Sequence, residues 1–311
     1  MIARRPRAIA ACVKGAARRV LSPVRAILPR PVVDAIAVMC WHKESIGTYP
    51  DLITPKSFNE KVLRRMVFDR NPVWTQLQDK HAAREYVEAR TGGDVLPRLY
   101  WVTKDPSDIP FDALPERFAV KPSHGSGWYR LVLEKARLNR QELIDVCRSW
   151  LGRNYYDVAR EWAYKHIDPR ILVEEYIDDG SGPDPIRYKF YVFHGSVRVI
   201  FVGVGIPIKS RCCFYGRSWN RLPATIAPKE QIAGGLDRPT HLDEMIRYAE
   251  ALADGLDFIR VDLYHTHDKV YFGEFTITPG AGLFRYTPRE FDYYLGGLWS
   301  GRSGLTARFP A

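Results

Sequence analysis

The stretch that most constrains the fold of this chain runs from Asp257 to Gly280, DFIRVDLYHTHDKVYFGEFTITPG. Apolar and polar residues alternate over 259–264, and a second run covers 270–276. The polar break HTHDK separates them at 265–269. Alternation on both sides of a polar break predicts a β-hairpin, because successive side chains of a strand point to opposite faces.

The register of this hairpin decides which side chains share a face. A turn with an odd number of residues pairs Asp262 with Phe272. It also pairs Arg260 with Glu274. One face then carries four polar groups, those of Arg260, Asp262, Glu274 and Thr276. A turn with an even number of residues would split them between the two faces.

Two carboxylates, a hydroxyl and a guanidinium on one sheet face are costly to bury unless something compensates their charge. A divalent cation that carries a polyphosphate would do so. Mg²⁺ binds carboxylate oxygens and completes its octahedron with phosphate and water. The alternative is a solvated outer face of an antiparallel sheet, which needs no ligand.

The net charge of +10 belongs to one end of the chain. Residues 1–30 contain eight of the 46 Lys and Arg and no Asp or Glu, so the remaining 38 bases face 36 acids. This distribution weakens a nucleic-acid function for the folded body, and we expect no nucleic-acid partner. At 311 residues the chain can form one large domain or two ordinary ones.

We expect a cytoplasmic protein with reduced thiols, because its five cysteines form no CxxC pair and no zinc spacing. No apolar run reaches the ~18–20 residues of a membrane-spanning helix. Residues 1–30 alternate Arg with apolar residues. This pattern predicts either a short basic helix in peripheral contact with anionic lipid at the inner face of the membrane, or a disordered extension.

Local signals predict where several helices begin. Ser57 followed by Glu60 is a capping box, and Asp79 and Asn139 are candidate caps of two later helices. Residues 203–240 are rich in Arg, Gly, Pro and aromatics, which predicts a long irregular loop that contributes to substrate choice.

A predicted strand ends at Lys121, and a small flexible loop and a returning strand follow it. The amides at the tip of such a loop can bind phosphate, although an ordinary hairpin turn has the same pattern. The loop consists of Ser123, His124, Gly125, Ser126 and Gly127.

A second candidate segment follows the apolar strand 171–173. Its residues are Glu174, Glu175, Tyr176 and Ile177. Peptide groups here could read an adenine edge while a carboxylate binds the amino group or the ribose. The alternative is a strand that leaves the core at two solvated acids. Lys189 lies within a later predicted strand, 187–193.

In this order the residues resemble the ATP-grasp superfamily, and within it the TupA-like family, named for teichuronopeptide synthesis. The resemblance extends from about Asp79 to Gly280 and includes one helix-capping segment upstream. It rests on PKSFNEK (55–61), DKHAAREYV (79–87), FAVKPSHGSG (118–127), ILVEEYI (171–177), YKFYVFHG (188–195) and IRVDLYHTHDKVYFGEFT (259–276).

The resemblance implies an α+β fold in which two α+β subdomains hold ATP between antiparallel sheets. Residues 1–48 would be the basic helical extension and 49–311 the ATP-grasp body. The body would comprise an N-terminal lobe at 49–115, an ATP-binding subdomain at 116–180, and a metal, phosphate and acceptor subdomain at 181–311.

The resemblance also implies residue roles. Lys121 and Lys189 would contact the ATP phosphates, and 123–127 would be the phosphate loop. Residues 174–177 would be the adenine hinge, with Glu174 or Glu175 on the base or ribose. Arg260 would stabilise the transferring phosphoryl group. Mg²⁺, with Mn²⁺ as an alternative, would be held by Asp262 and Glu274. Many ATP-grasp enzymes have Asn where Thr276 stands, so its part in the metal site stays open.

The implied activity is an ATP- and Mg²⁺-dependent carboxylate–amine ligase that works through an acyl phosphate and modifies a cell-surface polysaccharide or its precursor. Its partners would be ATP, a carboxylate-bearing acceptor and an amine donor. Two alternatives stay open. One is a sugar or small-molecule kinase on the same fold, and the other is a non-enzymatic basic adaptor at the membrane or on polymer.

Overall fold

A computed structural model of the chain describes residues 28–204 and 211–300. The helices are α1 Arg30–Ile46, α2 Phe58–Phe68, α3 Val73–Gln78, α4 Ala82–Thr91, α5 Arg140–Leu151, α6 Tyr155–Ala159, α7 Leu242–Leu252 and α8 Glu290–Trp299. The strands are β1 Leu99–Thr103, β2 Phe118–Pro122, β3 Arg130–Val132, β4 Ile171–Glu175, β5 Arg187–Phe193, β6 Ser196–Val204, β7 Arg211–Gly216, β8 Arg221–Leu222, β9 Thr225–Ala227, β10 Glu230–Gln231, β11 Phe258–His265, β12 Val270–Thr276 and β13 Arg285–Thr287.

The smaller of the two main sheets contains four antiparallel strands in the order β1-β4-β2-β3. Helix α5 packs on it, and Leu143, Cys147 and Trp150 of the helix share a core with Phe118 and Val120 of β2. The other β2 residues alternate with these, so Ala119 and Lys121 are less buried. This alternation places the Lys121 side chain away from the helix.

The larger sheet has the order β10-β7-β6-β5-β11-β12, with β8 paired to β7. It is antiparallel except for the short parallel pair β10–β7. Helix α7 covers one face, and α2 and α8 cover the other. Helices combined with two antiparallel sheets confirm the predicted α+β class.

The prediction of an irregular loop at 203–240 is wrong. Strand β7 lies inside the larger sheet, between β6 and β10, and β8, β9 and β10 follow within this range. Cys212 packs into the core on the α2 and α8 face, whereas Cys213 packs into the core on the α7 face. A strand buried on both faces shows no alternation of polar and apolar residues, which is why the pattern did not reveal it.

Two of the three predicted helix caps are confirmed, and the third is wrong, because α4 begins at Ala82 with His81 as its N-cap residue and Asp79 stands ahead of it. Ser57 and Glu60 form the reciprocal capping box of α2. The Asn139 side chain accepts a hydrogen bond from the Glu142 amide at the start of α5, and the Asp79 carboxylate accepts from the amides of His81 and Ala82 ahead of α4. The predicted helix at 1–30 lies outside the described residues except for its last three. No helix within 28–204 and 211–300 is both long and apolar enough to cross a bilayer.

The hairpin β11–β12 forms as predicted, but its register differs. His265 pairs with Val270, so the turn holds four residues, an even number. The register then shifts by one residue at Gly273, and from there Asp262 faces Glu274 and Arg260 faces Thr276. The predicted pairs Asp262–Phe272 and Arg260–Glu274 are therefore wrong. The four polar side chains nevertheless share one face. The even turn alone would put those of β11 and β12 on opposite faces, and the β-bulge returns them to the same face.

Gly273 is the bulged residue, and a side chain there has no room. A Cβ atom would lie 2.6 Å from a ring carbon of Tyr264 and 3.0 Å from the carbonyl oxygen of Asp262. We therefore expect Gly273→Ala to lower the free energy of unfolding by about 1–3 kcal/mol, because either the ring or the strand must move. Urea unfolding followed by circular dichroism measures this change.

The matched control is Gly297→Ala in α8, where a Cβ atom would meet nothing within 4 Å. This substitution should leave stability unchanged or raise it by about 0.5–1 kcal/mol, because alanine favours a helix interior. Equal behaviour of the two variants would show that the bulge tolerates a side chain.

Candidate active site

The polar face of β11–β12 carries a dense set of charge contacts. The Arg260 guanidinium donates to both carboxylate oxygens of Asp262, over 2.6 and 2.7 Å, and to the Thr276 hydroxyl over 2.8 Å. Lys189, from the neighbouring strand β5, lies 3.1 Å from Asp262. Two of the predicted site residues, Arg260 and Lys189, thus converge on the Asp262 carboxylate, which is buried.

The position of this face follows from the strand sequences. On β11, Phe258 lies in the apolar core that α2 and α8 cover, and Arg260 and Asp262 continue on the same face. On β5, Phe193 and Tyr191 lie in that core and Lys189 continues the row. Because alternate residues share a face, each strand changes from apolar to polar along this face, β11 at Arg260 and β5 one pair later at Lys189.

Lys80 joins this face to the smaller sheet, and sequence reasoning gave it no role. Its ammonium donates to the Gly125 carbonyl oxygen over 2.6 Å and lies 3.4 Å from Glu274. Its backbone amide donates to the Ser123 carbonyl over 3.1 Å. Lys80 directly follows the capping residue Asp79, in one of the segments that carried the family resemblance. That segment was the one signal that could have found it.

Lys121 projects from the smaller sheet and pairs with Glu174 of β4 over 2.5 Å. Arg84 of α4 lies 3.0 Å from the other oxygen of Glu174. Burial acts to lower the pKa of Lys121, but Glu174, with Tyr264 and Glu274 further off, outweighs burial and raises it. The negative charge of Glu274 on the larger sheet therefore stabilises the charged form of Lys121 on the smaller sheet. We call this region, with its side chains from β2, β4, β5, β11 and β12, the sheet junction.

The loop after Lys121 has two kinds of residues. The side chains of Ser123 and His124 are buried. Ser123 forms hydrogen bonds with backbone groups of Asp168 and Arg170. His124 forms hydrogen bonds with the carbonyl oxygens of Trp150 and Arg153. These two side chains anchor the loop, and the predicted phosphate contact, which is through amides of the loop, does not depend on them.

Gly125, Ser126 and Gly127 form the tip of the loop. A Cβ atom on Gly125 would meet the Trp128 ring at 2.3 Å, so only glycine allows the ring to cover the backbone here. Gly127 has a φ of 67°, in the left-handed region. Backbone groups of this tip, together with the Lys80 contact to Gly125, are what the structure offers to a phosphate.

The predicted hinge residues lie at the other end of the junction. Glu175 accepts from the Arg98 amide over 3.0 Å and from the Tyr271 hydroxyl over 3.1 Å. Tyr176 donates to carbonyl oxygens of the following loop, and Ile177 is half-buried. Glu174, in contrast, forms ion pairs with Lys121 and Arg84. Of the two acids, Glu175 is therefore the one without an ion pair within the described residues.

Buried charge perturbs several groups of the junction. Burial acts to raise the pKa of Glu274, but Lys80, Lys189, Arg260 and Lys121 outweigh it and hold this pKa at about 2. Burial, reinforced by the Arg260 charge, lowers the pKa of Lys189 to about 8 in spite of Asp262. Glu274 is thus an anion over the whole physiological range, and Lys189 is close to its titration point.

Glu161 is a second site residue that the sequence did not reveal. It lies between α6 and β4, is buried, and accepts a short hydrogen bond from the Thr278 hydroxyl. Burial raises the pKa of Glu161 to about 7, Thr278 opposes this, and the Glu274 charge adds to it. No local pattern marks this residue, because its partner Thr278 is more than a hundred positions away.

The charges of the junction favour an anionic ligand. The ion pairs of the junction join five cations to three carboxylates, Glu174, Asp262 and Glu274, while Glu161 and Glu175 lie in the same region outside these pairs. The cations are Lys80, Arg84, Lys121, Lys189 and Arg260. A polyphosphate would neutralise this excess of positive charge.

The oxygen-bearing side chains of the β11–β12 face are of the kind that binds Mg²⁺. Within the described ranges no three His, Cys, Asp or Glu side chains come together as a metal site. Asp262 and Glu274 face each other on adjacent strands, and Mg²⁺ in proteins is commonly held by one or two carboxylates plus phosphates and water. Thr276 is available as a neutral oxygen beside them. The donor set therefore suits Mg²⁺ that arrives with a nucleotide.

Two antiparallel sheets whose facing polar residues combine lysines, a glycine-rich loop and paired carboxylates define a protein of the ATP-grasp class. The chain belongs to the TupA-like ATP-grasp family, whose sequence model matches residues 60–299. The predicted family and fold are thereby confirmed. A search of curated proteins found no match.

Among solved structures, a D-alanine–D-alanine ligase from Bacillus anthracis is 18% identical to this chain. The match covers 73% of this chain and 67% of the ligase, with a TM-score of 0.44. The ATP-grasp ligase PsnB with its minimal precursor is 15% identical over 92% of this chain and 72% of its own, with a TM-score of 0.42. An L-amino acid ligase from Bacillus licheniformis is 17% identical, and the match covers 86% of this chain and 56% of that ligase, with a TM-score of 0.41. The chain spans 55% of the Bacillus anthracis ligase in its complex with ATP.

The perturbed pKa of Glu161 makes stability depend on pH. Its pKa is about 7 in the folded chain against an ordinary 4.5, so the folded state holds this proton more tightly and loses stability as the pH rises from about 4.5 to about 7. Glu161→Gln removes this loss. We expect the variant to gain up to about 3 kcal/mol over the wild type at pH 8 and nothing at pH 4.

Urea unfolding of the two proteins at a series of pH values measures the difference. A pH-independent difference would mean that the folded state does not raise the pKa of Glu161. Glu274, whose pKa is lowered, has the opposite dependence, but it is present in both proteins and cancels in the comparison.

Proposed function

We propose that this protein is an ATP- and Mg²⁺-dependent carboxylate–amine ligase that works through an acyl phosphate. The observation that carries the proposal is the shared face of β11 and β12, where Arg260, Asp262, Glu274 and Thr276 lie together beside Lys189. Phosphoryl transfer requires positioned positive charge more than covalent help from the protein, and this face supplies it.

The phosphates of ATP would lie between Lys121, Lys189 and the tip 125–127, with the base beside Glu175 and Tyr271. Lys80 holds the tip over Glu274. Asp262 and Glu274, with Thr276, would hold Mg²⁺, which supplies charge neutralisation of the β- and γ-phosphates when bound. Arg260, released from Asp262 as the metal takes its place, would contact the transferring phosphoryl group.

The reaction has two steps. A carboxylate oxygen of the acceptor bonds to the γ-phosphorus while the bond to the bridging oxygen of ADP breaks. The amine nitrogen then bonds to the acyl carbon while phosphate leaves with the electron pair of the C–O bond. An amine that arrives as an ammonium loses one proton before attack and a second one afterwards.

We infer that the acceptor is a cell-surface polysaccharide or its precursor and that the protein acts in the cytoplasm. This inference rests on the name of the family, which refers to teichuronopeptide synthesis. A peripheral membrane contact through residues 1–30 belongs to the same proposal. A kinase on this fold would leave a stable phosphorylated product and would need no amine.

Asp262→Asn and Glu274→Gln test the proposed metal site. Each removes one negative charge at nearly constant volume, so we expect at least a tenfold loss of Mg-dependent ATP affinity while ATP without Mg²⁺ binds no worse. Isothermal titration calorimetry with ATP, with and without Mg²⁺, measures both affinities. ADP release with a panel of amino acids and sugar acids then separates ligase from kinase.

The matched control is Asp112→Asn, a surface carboxylate paired with Arg140 in the smaller unit. Its affinity for Mg-ATP should equal that of the wild type. Wild-type affinity in the Asp262 and Glu274 variants as well would contradict the metal site. Release of AMP and pyrophosphate instead of ADP and phosphate would contradict the acyl phosphate.

Lys80→Met tests the bridge between loop and metal site. The methionine keeps most of the length of the side chain but loses the hydrogen bond to Gly125 and the charge beside Glu274. We expect Mg-ATP affinity to fall about tenfold, since a charge-assisted hydrogen bond contributes about 1.5–3 kcal/mol. Lys104→Met, which breaks an exposed pair with Asp168, is the control; equal affinities of the two variants would rule out the bridge.

A further inference from the structure

The groups along strand β12 follow the order of the parts of the reaction. Tyr271 contacts Glu175 at the hinge, Glu274 faces Asp262, and Thr276 contacts Arg260. Each step of two residues along a strand covers about 6.6–6.8 Å. In the proposed site, this row of side chains would lead from the adenine base, past the metal, to the transferring phosphoryl group.

The next residue in this row is Thr278, and its partner is Glu161. Thr278 lies two residues beyond Thr276, just past the end of β12. The Arg260 and Glu274 charges both act on Glu161, so Glu161 lies at the Arg260 end of the row, away from the hinge. In a two-substrate ligase this is where the attacking amine must approach the acyl carbon.

Glu161 differs from most carboxylates of the junction in its partners. Glu174, Asp262 and Glu274 each have at least one Lys or Arg within 3.4 Å. Glu161 has no ion pair within the described ranges, and its hydrogen-bond partner there is the neutral Thr278 hydroxyl; Glu175 also has none, but it is only half-buried and lies at the hinge. Arg260 and Lys80 act on Glu161 from beyond ion-pair distance and do not offset its burial, so the site gains from a cationic ligand in contact with the carboxylate.

Aromatic rings complete the surroundings of Glu161. Tyr155 and Tyr164 lie close enough for the Glu161 charge to raise the pKa of both phenols, after burial, which is the larger cause. Their ring centroids are 4.7 Å apart, and both hydroxyls interact with Ser126 of the loop tip. Aromatic faces beside a carboxylate are a favourable environment for an ammonium group.

We propose that Glu161, with Thr278 and the rings of Tyr155 and Tyr164, forms the subsite that binds the ammonium group of the amine substrate. The proposal rests on the proposed function and adds the class of its second substrate, a primary amine that arrives as a cation. The amine is held by its charge and is presented to the acyl carbon next to Arg260. Glu161 is a binding residue in this scheme, and Thr278 orients it.

The full chain saturated with Mg-ADP is the protein to test, and glycinamide hydrochloride is the probe, because it carries an ammonium group and no carboxylate. N-acetylglycinamide is the matched neutral compound. Isothermal titration calorimetry should show the wild type binding glycinamide at least about tenfold more tightly than N-acetylglycinamide, as expected for a hydrogen-bonded charge pair. Glu161→Gln should lose this preference, and Glu161→Asp should retain part of it.

Glu161→Gln should bind Mg-ATP within about twofold of the wild type, which separates this subsite from the metal site, where Asp262→Asn loses Mg-ATP. Thr278→Val is a second variant that leaves the carboxylate in place; it should weaken the preference without abolishing it. A wild type that binds Mg-ATP but does not prefer the ammonium probe overturns the subsite and leaves the ligase standing. Unchanged preference in Glu161→Gln also overturns it, and a wild type that does not bind Mg-ATP overturns both.

Discussion

One extra residue in strand β12 sets the geometry of the whole site. The four-residue turn of the β11–β12 hairpin would by itself put Asp262 and Glu274 on opposite faces, and the bulge at Gly273 brings them back to one face. The bulge is possible because the Tyr264 ring and the Asp262 carbonyl occupy the space of a side chain. A local irregularity in a regular ladder thus creates a carboxylate pair that neither strand could create alone.

Stability and function are divided between the ends of the same strands. The apolar ends of β5 and β11 pack between α7 on one face and α2 and α8 on the other. Their polar ends hold ion pairs that are expensive to bury and contribute little net stability. Such pairs are better understood as preorganised charge. Lys80 contacts the loop tip and Lys121 belongs to the smaller sheet, so their interactions with Glu274 also link the two sheets electrostatically.

The sequence was informative wherever the signal was local. The capping box at Ser57 and the shared face of Arg260 and Asp262 followed from patterns a few residues long. The register of the hairpin did not, because counting alternation cannot detect a single bulged glycine. Strand β7 was missed because it is buried on both faces. Lys80 and Glu161 acquire their roles only when the fold brings them to Glu274 and Thr278, at separations that no pattern spans.

The position of Glu161 also bears on which reaction the site serves. A kinase would use such a carboxylate to accept the proton of one hydroxyl. A ligase has a use for the same carboxylate, because its second substrate arrives as a cation and must lie next to an acyl phosphate. The weak acidity of Glu161 reduces the cost of keeping it buried until that cation binds. In the proposed ligase, the charges along β12 would therefore serve two successive partners, an anion first and a cation second.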